Sequence, residues 1–187
     1  MTDWNAWLVD YFARFRPAFS PEVHKSLIEF KELCEQVKAR KNKLLFAGNG
    51  ASASISAHGA VDFTKQGKVR AVDFNEPNLI TAYSNDYGFE NWIARAIESY
   101  ADDGDVPVLI SVSGTSPNVV NGAKYARSRG MNVVTFTGKS PNNPLRAQGT
   151  VNFWMDSSAY NVVEATHMLW LTTVVDMVVG RAEYSVN

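Results

Sequence analysis

Residues 43–65 read KLLFAGNGASASISAHGAVDFTK, and the way this stretch divides decides the fold. KLLFAG, residues 43–48, is an apolar run of strand length that ends on glycine. The following GNGASASISAH, residues 48–58, has too little apolar volume to fill a core and many groups that need hydrogen-bond partners. It reads as a buried strand, a glycine turn, and a helix over ASASISAHGAVDFTK whose first turns carry small and hydroxylated residues.

The alternation continues downstream. VRAVDF (69–74), VPVLISVS (106–113), NVVTFTG (132–138) and TVNFWM (150–155) read as further strands. NLITAYSN (78–85), ENWIARAIESYA (90–101), SPNVVNGAKYARSRG (116–130) and AYNVVEATHMLWLTTVVDMVVGRA (159–182) read as helices. Near-continuous apolar strands alternating with helices predict α/β architecture: a doubly wound parallel sheet of five strands, covered on both faces. No Gly/Ser/Pro-rich linker divides the chain, so 1–187 is expected to be one domain, with N-terminal helices over 1–41 and an α/β core over 43–182.

Upstream, DWNAWLVDYFARF (3–15) places Trp4, Trp7, Leu8, Tyr11, Phe12 and Phe15 at helical spacing, and Pro17 is expected to stop that helix. So much aromatic surface needs a large partner, either the domain itself or a second subunit. SPEVHKSLIEFKELCEQVKARK (20–41) follows, with Ser20 as cap and Pro21 at the first helical position. His24 on this helix reads as a surface histidine.

Composition narrows the function class. The 187 residues carry 18 basic and 19 acidic side chains for a formal net charge of −1, so no bulk charge calls for nucleic acid or a membrane surface. Cys34, the single cysteine, excludes an intrachain disulfide framework and reads as a buried thiol. The N-terminus lacks the pattern of a signal peptide, and the apolar runs read as shorter than a membrane span, which predicts a soluble, cytoplasmic protein.

In an open parallel sheet, ligands bind beyond the carboxyl ends of the strands, where strand order reverses. Two tips have the composition for this. One is Gly48-Asn49-Gly50 with Ser52 and Ser54; the other is SVSGTSPNV, with Ser111, Ser113, Gly114, Thr115 and Ser116. Each sets backbone N–H groups and hydroxyls at a helix N-terminus, which favours an anion. Neither tip is a Walker loop or a G-x-G-x-x-G fingerprint, which leaves a small phosphate ester held by hydroxyls. Helix capping alone would also use such residues.

Two pairs carry titratable chemistry. His58 and Asp62 are four apart on the helix after the glycine turn, and Glu164 and His167 are three apart on the last helix. Convergence of those helices could gather four ligands for zinc; the same groups could instead move protons. Asp62 and Glu164 lie among apolar neighbours, GAVDF and NVVEA, where an ionised carboxylate is costly without a partner. His167, on an apolar helix, reads equally as a hydrogen-bonded core histidine and as a working one.

GNGASASISAHGAVDF and the stretch from NDYGF through SGTSPNV to TGK resemble the sugar isomerase (SIS) domain family, specifically its phosphoheptose isomerase branch, from about Lys43 to about Val179. The resemblance implies a flavodoxin-like fold and conversion of sedoheptulose 7-phosphate to a heptose 7-phosphate. It also implies homotetramers with sites at subunit interfaces, and often a zinc ion. By position, Ser52, Ser111, Ser113 and Ser116 match phosphate-binding residues, with Asn49, Gly50, Thr115, Asn85 and Asp86 as further substrate contacts. Asp62 stands where the family has its catalytic glutamate; His58 and Glu164 would join it in holding a metal or polarising a carbonyl, and His167 would be an acid or ligand. The family's second histidine on the last helix falls near Leu171 or Thr172, its loop threonine at Val112, and a usual basic residue near Gln66. The loss on the last helix has a parallel in a non-catalytic member of the branch that associates with a bacterial replication initiator.

Overall fold

The computed structural model describes residues 2–185. Five parallel strands run β1 (Leu44–Gly48), β2 (Ala71–Asp73), β3 (Val106–Ser111), β4 (Val134–Gly138) and β5 (Val151–Met155), in the order β2-β1-β3-β4-β5. The helices are α1 (Trp4–Ala13), α2 (Glu22–Arg40), α3 (Ala51–Lys65), α4 (Pro77–Tyr87), α5 (Trp92–Tyr100), α6 (Pro117–Ser128) and α7 (Tyr160–Val179). This is the doubly wound α/β arrangement expected from the alternation.

Strand periodicity explains the two layers. Leu44, Phe46, Val108, Ile110, Phe136 and Phe153 point into the core under α2, α3 and α7, where the rings of Phe136 and Phe153 stack at 4.4 Å. Leu45, Ala47 and Leu109 point the other way, against Trp92, Ile93, Val119 and Ala123 of α5 and α6. With both faces covered, β1, β3 and β4 are buried at every position; β1 and β3 are apolar almost throughout, and the alternating Thr135 and Thr137 hydroxyls of β4 donate to Asn152 Oδ1 and the Phe153 carbonyl. β5, at the edge, alternates between buried and half-buried.

Three local expectations need correction. α1 ends at Ala13, ahead of Pro17, which instead enters a short 3-10 turn over Arg16–Phe19. The N-cap of α2 is Pro21, not Ser20, so Pro21 precedes the first helical position instead of filling it, and no side chain caps the helix; the Ser20 carbonyl accepts from the Val23 N–H at 3.1 Å. Against the expectation that every apolar run is shorter than a membrane span, α7 is long and apolar enough to cross one. Its apolar residues are used inward: Val162, Val163, Trp170, Leu171, Val174 and Val175 are buried in the core. α1, by contrast, buries no residue: Trp4 and Phe12 are about two-thirds exposed at 65% and 64%, and only Tyr11 and Phe15 at its end touch the core. Its own domain leaves most of that aromatic surface uncovered.

Candidate functional site: two hydroxyl-lined strand tips

β1 and β3 are neighbours, with Gly48 opposite Ile110, and the chain leaves β1 toward β2 on one side and takes up β3 on the other. The crevice beyond their carboxyl ends is therefore the switch point of the sheet. Both hydroxyl-rich tips open into it.

Each tip is shaped by a glycine and clamped by an asparagine. At β1, a β-carbon on Gly48 would lie 2.7 Å from Ser52 Cβ, so only glycine lets α3 start this close to the strand. Asn75 holds the turn: the Gly48 N–H donates to Asn75 Oδ1 at 3.1 Å, and Asn75 Nδ2 donates to the Gly48 carbonyl at 2.7 Å. At β3, Gly114 has φ +66 and donates to the Ser111 carbonyl at 3.0 Å; a β-carbon there would collide with the buried Asn143 side chain. The two tips are joined directly. Asn49 Nδ2 donates to Asn118 Oδ1 at 3.0 Å and Asn118 Nδ2 donates back to Asn49 Oδ1 at 2.9 Å.

Between them lies a cavity of about 160 Å³. Asn49 and Ser52 line it from the β1 side, Ser111, Val112, Ser113 and Ser116 from the β3 side, and Tyr160 and Glu164 from α7. The Ser111 and Ser116 hydroxyls are 3.2 Å apart, and Ser113 Oγ accepts from the backbone and hydroxyl of Thr115 at 3.2 and 3.0 Å. Neither α3 nor α6 has a side-chain cap, so their N-terminal dipoles face the cavity unneutralised. Lys139 brings a cation to the α7 wall, its ammonium 4.0 Å from the centre of the Tyr160 ring. Larger hollows exist, one of about 380 Å³ near Arg40 and Arg129, but their walls lack this convergence of hydroxyls and helix N-termini.

The remaining candidates are dispersed. Gly50 (φ +58) and Thr115 belong to the same turns but sit at their exposed rims. Asn85 and Asp86 bond each other at 2.9 Å on the exposed end of α4 and do not line the cavity. His24 is exposed, as read. His58 Nε2 and Asp62 Oδ2 pair at 3.1 Å along the outer face of α3. Glu164 does not join them. It lines the cavity beside Ser52, while His58 is six residues further along α3, about 9 Å down the axis. Among the described residues no three His, Cys, Asp or Glu side chains come together, so the set His58, Asp62 and Glu164 does not fit a zinc ion within one protomer.

His167 is also withdrawn from the cavity. It is fully buried against Phe136, with Nε2 3.0 Å from the Thr137 carbonyl, and burial lowers its pKa from 6.5 to about 4. The core reading of this histidine is the one the packing favours. Residue types alone concealed Asn75, Asn118, Asn143 and Tyr160. The signal for Asn118 was present as a polar residue after Pro117 and before Val119 and Val120, at a helix start that should be buried.

The SIS domain family profile matches residues 9–138. The chain belongs to the SIS domain family. A phosphoheptose isomerase of Geobacter sulfurreducens is 30% identical over 170 residues, covering 88% of this chain and 89% of that one. A probable phosphoheptose isomerase of Thermoplasma acidophilum is 34% identical over 143 residues, covering 73% and 76%. The solved phosphoheptose isomerase of Neisseria gonorrhoeae superposes with a TM-score of 0.82 at 28% identity, covering 93% of this chain and 98% of that one.

Proposed function

We propose that the protein is an aldose–ketose isomerase that interconverts sedoheptulose 7-phosphate and D-glycero-D-manno-heptose 7-phosphate. The observation that carries this reading is the cavity at the β1–β3 switch point, where four serines and two uncapped helix N-termini converge beside one carboxylate, Glu164. The names of the related proteins point the same way.

In this reading the phosphate is fixed by the hydroxyls of Ser52, Ser111, Ser113 and Ser116 and by helix-terminal N–H groups. Its binding energy orients the reacting end of the sugar. Isomerisation then needs a proton taken from C1 of the ketose and returned to C2, with a hydroxyl proton passing between O2 and O1 through an enediolate. Glu164 borders the phosphate end of the cavity. The candidate base is Asp62 of the His58–Asp62 pair, which starts about 9 Å further along α3, where an extended sugar places C1 and C2. The same reading makes the enzyme a cytoplasmic homotetramer with α1 as a subunit contact, supported by the exposed Trp4, Val9 and Phe12 on that helix.

The test is turnover of sedoheptulose 7-phosphate by purified protein, with Glu164→Gln and Asp62→Asn alongside. Turnover lowered about 100-fold or more in the Asp62 variant, with Glu164→Gln changing KM more than kcat, supports the assignment. Tight binding with no turnover in the wild type would leave a phosphosugar-binding protein instead.

A further inference from the structure

Resting on the phosphate-binding reading above, we propose that Asn118 is a positioning residue: it never touches substrate, and it sets the phosphate site by locking Asn49 in a reciprocal amide pair across the sheet's switch point. Asn118 is the second residue of α6 and only 1% exposed, while Asn49 is half-buried and lines the cavity. Asn118 itself is not on the cavity wall.

The pair uses one N–H and one carbonyl oxygen from each amide, at 3.0 and 2.9 Å. Two consequences follow. The Asn49 amide is held in one plane, which leaves its second N–H free to donate toward a ligand in the cavity. The β1 turn and the start of α6 are also joined by a bridge that fixes the separation of the two phosphate-binding segments. No backbone bond could do this, because the two tips diverge beyond the last β1–β3 pairing at Gly48 and Ile110. An anion site assembled from two loops gains affinity when their spacing is set before binding.

A carboxylic acid mimics an amide in such a pair only when protonated. In Asn118→Asp the ionised group offers no proton to Asn49 Oδ1 and adds charge beside the anion. Once protonated, it restores one donor and one acceptor. Burial and a bound phosphate raise the pKa of that introduced carboxyl, so pH 5 reaches its neutral form. Glu164 and Tyr160 are the titratable side chains of the cavity, and Lys139 is the cation beside it. All three are shared with the wild type, so affinities are expressed as ratios to wild type at the same pH, which also cancels the titration of the phosphate.

The experiment is calorimetric binding of sedoheptulose 7-phosphate and of inorganic phosphate to wild type, Asn118→Asp and Asn118→Leu at pH 8 and pH 5, with KM and kcat measured in parallel. We expect Asn118→Asp to bind at least about tenfold more weakly than wild type at pH 8 and to come within about threefold at pH 5. Asn118→Leu should stay weak at both, and KM should move more than kcat. Wild-type affinity in either variant at pH 8, or a deficit in Asn118→Asp that ignores pH, would overturn the pairing. If the variants do not fold, the wild type decides by NMR. Cross-peaks between the Asn49 and Asn118 side-chain amide protons support the pair; freely exchanging, separate amides overturn it. A wild type that binds neither ligand would instead overturn the phosphate reading itself.

Discussion

Gly59 of α3 lies so close to Leu171 of α7 that a β-carbon on the glycine would sit 2.5 Å from Leu171 Cδ2. The two helices run in the same direction, since Gly67 meets Val178 further along. Ser52 and Glu164 each lie seven residues before the contact, which puts the phosphate hydroxyl and the carboxylate of the cavity at one level. Alanine in place of a mid-helix glycine is ordinarily stabilising by up to about 1 kcal/mol. Here Leu171 is fully buried and Phe46 Cε1 lies 3.3 Å from the added carbon, so the overpacking term wins. Gly59→Ala should lose about 1–3 kcal/mol in urea unfolding. Adding Leu171→Ala should cost less than the sum of the two single changes, and additive effects would refute the contact.

Ser52 separates binding from chemistry. Its hydroxyl lines the cavity and takes no hydrogen bond from another described side chain, so its removal should be felt by substrate alone. Ser52→Ala should raise KM about tenfold and leave kcat within about threefold. A fall in kcat with unchanged KM would place Ser52 at the reacting carbons.

The buried imidazole of His167 should make stability depend on pH. The unfolded chain takes up a proton near pH 6.5 that the folded chain refuses until about pH 4. The stabilisation from neutral His167 is therefore complete above pH 6.5 and is lost as pH falls toward 4, by up to about 3 kcal/mol. His167→Gln keeps a donor for the Thr137 carbonyl and removes the titration. Urea midpoints at pH 7 and pH 4.5 should fall more steeply for wild type than for this variant, and parallel slopes would refute the argument.

Cys34 should be chemically silent in the folded protein. It is fully buried, and burial, with Glu35 nearby, pushes its thiol well above the ordinary range. Ellman's reagent should label it only at the rate of unfolding, and rapid native-state labelling would show that α2 opens locally.

Much of the scaffold was legible because hydrophobic periodicity acts locally. The strand-length runs at 44–48, 106–111 and 134–138 are buried on both sides, as a covered parallel sheet requires. The glycine-and-serine tips were legible for the same kind of reason, since Gly48, Gly50 and Gly114 are demanded by backbone geometry within a few residues. The 20-residue α7 shows the limit: its composition suits a membrane span as well as a core helix, and only the neighbours that cover it distinguish the two.

Relations between distant segments belonged to the tertiary structure. Glu164 and His167 are three residues apart on one helix, yet one faces the cavity and the other the core, because β4 covers His167 while Glu164 meets only the first turn of α3 across the cavity. His58 and Asp62 met as their spacing required, while Glu164, the third member of the set, lines the cavity instead. The sequence alone determined the elements, their order and the chemistry available at each strand tip, since backbone preferences and apolar spacing are properties of neighbouring residues. Folding decided which of those groups share a cavity, because helix height and facing are set by contacts such as Gly59 on Leu171, made by residues more than a hundred positions apart.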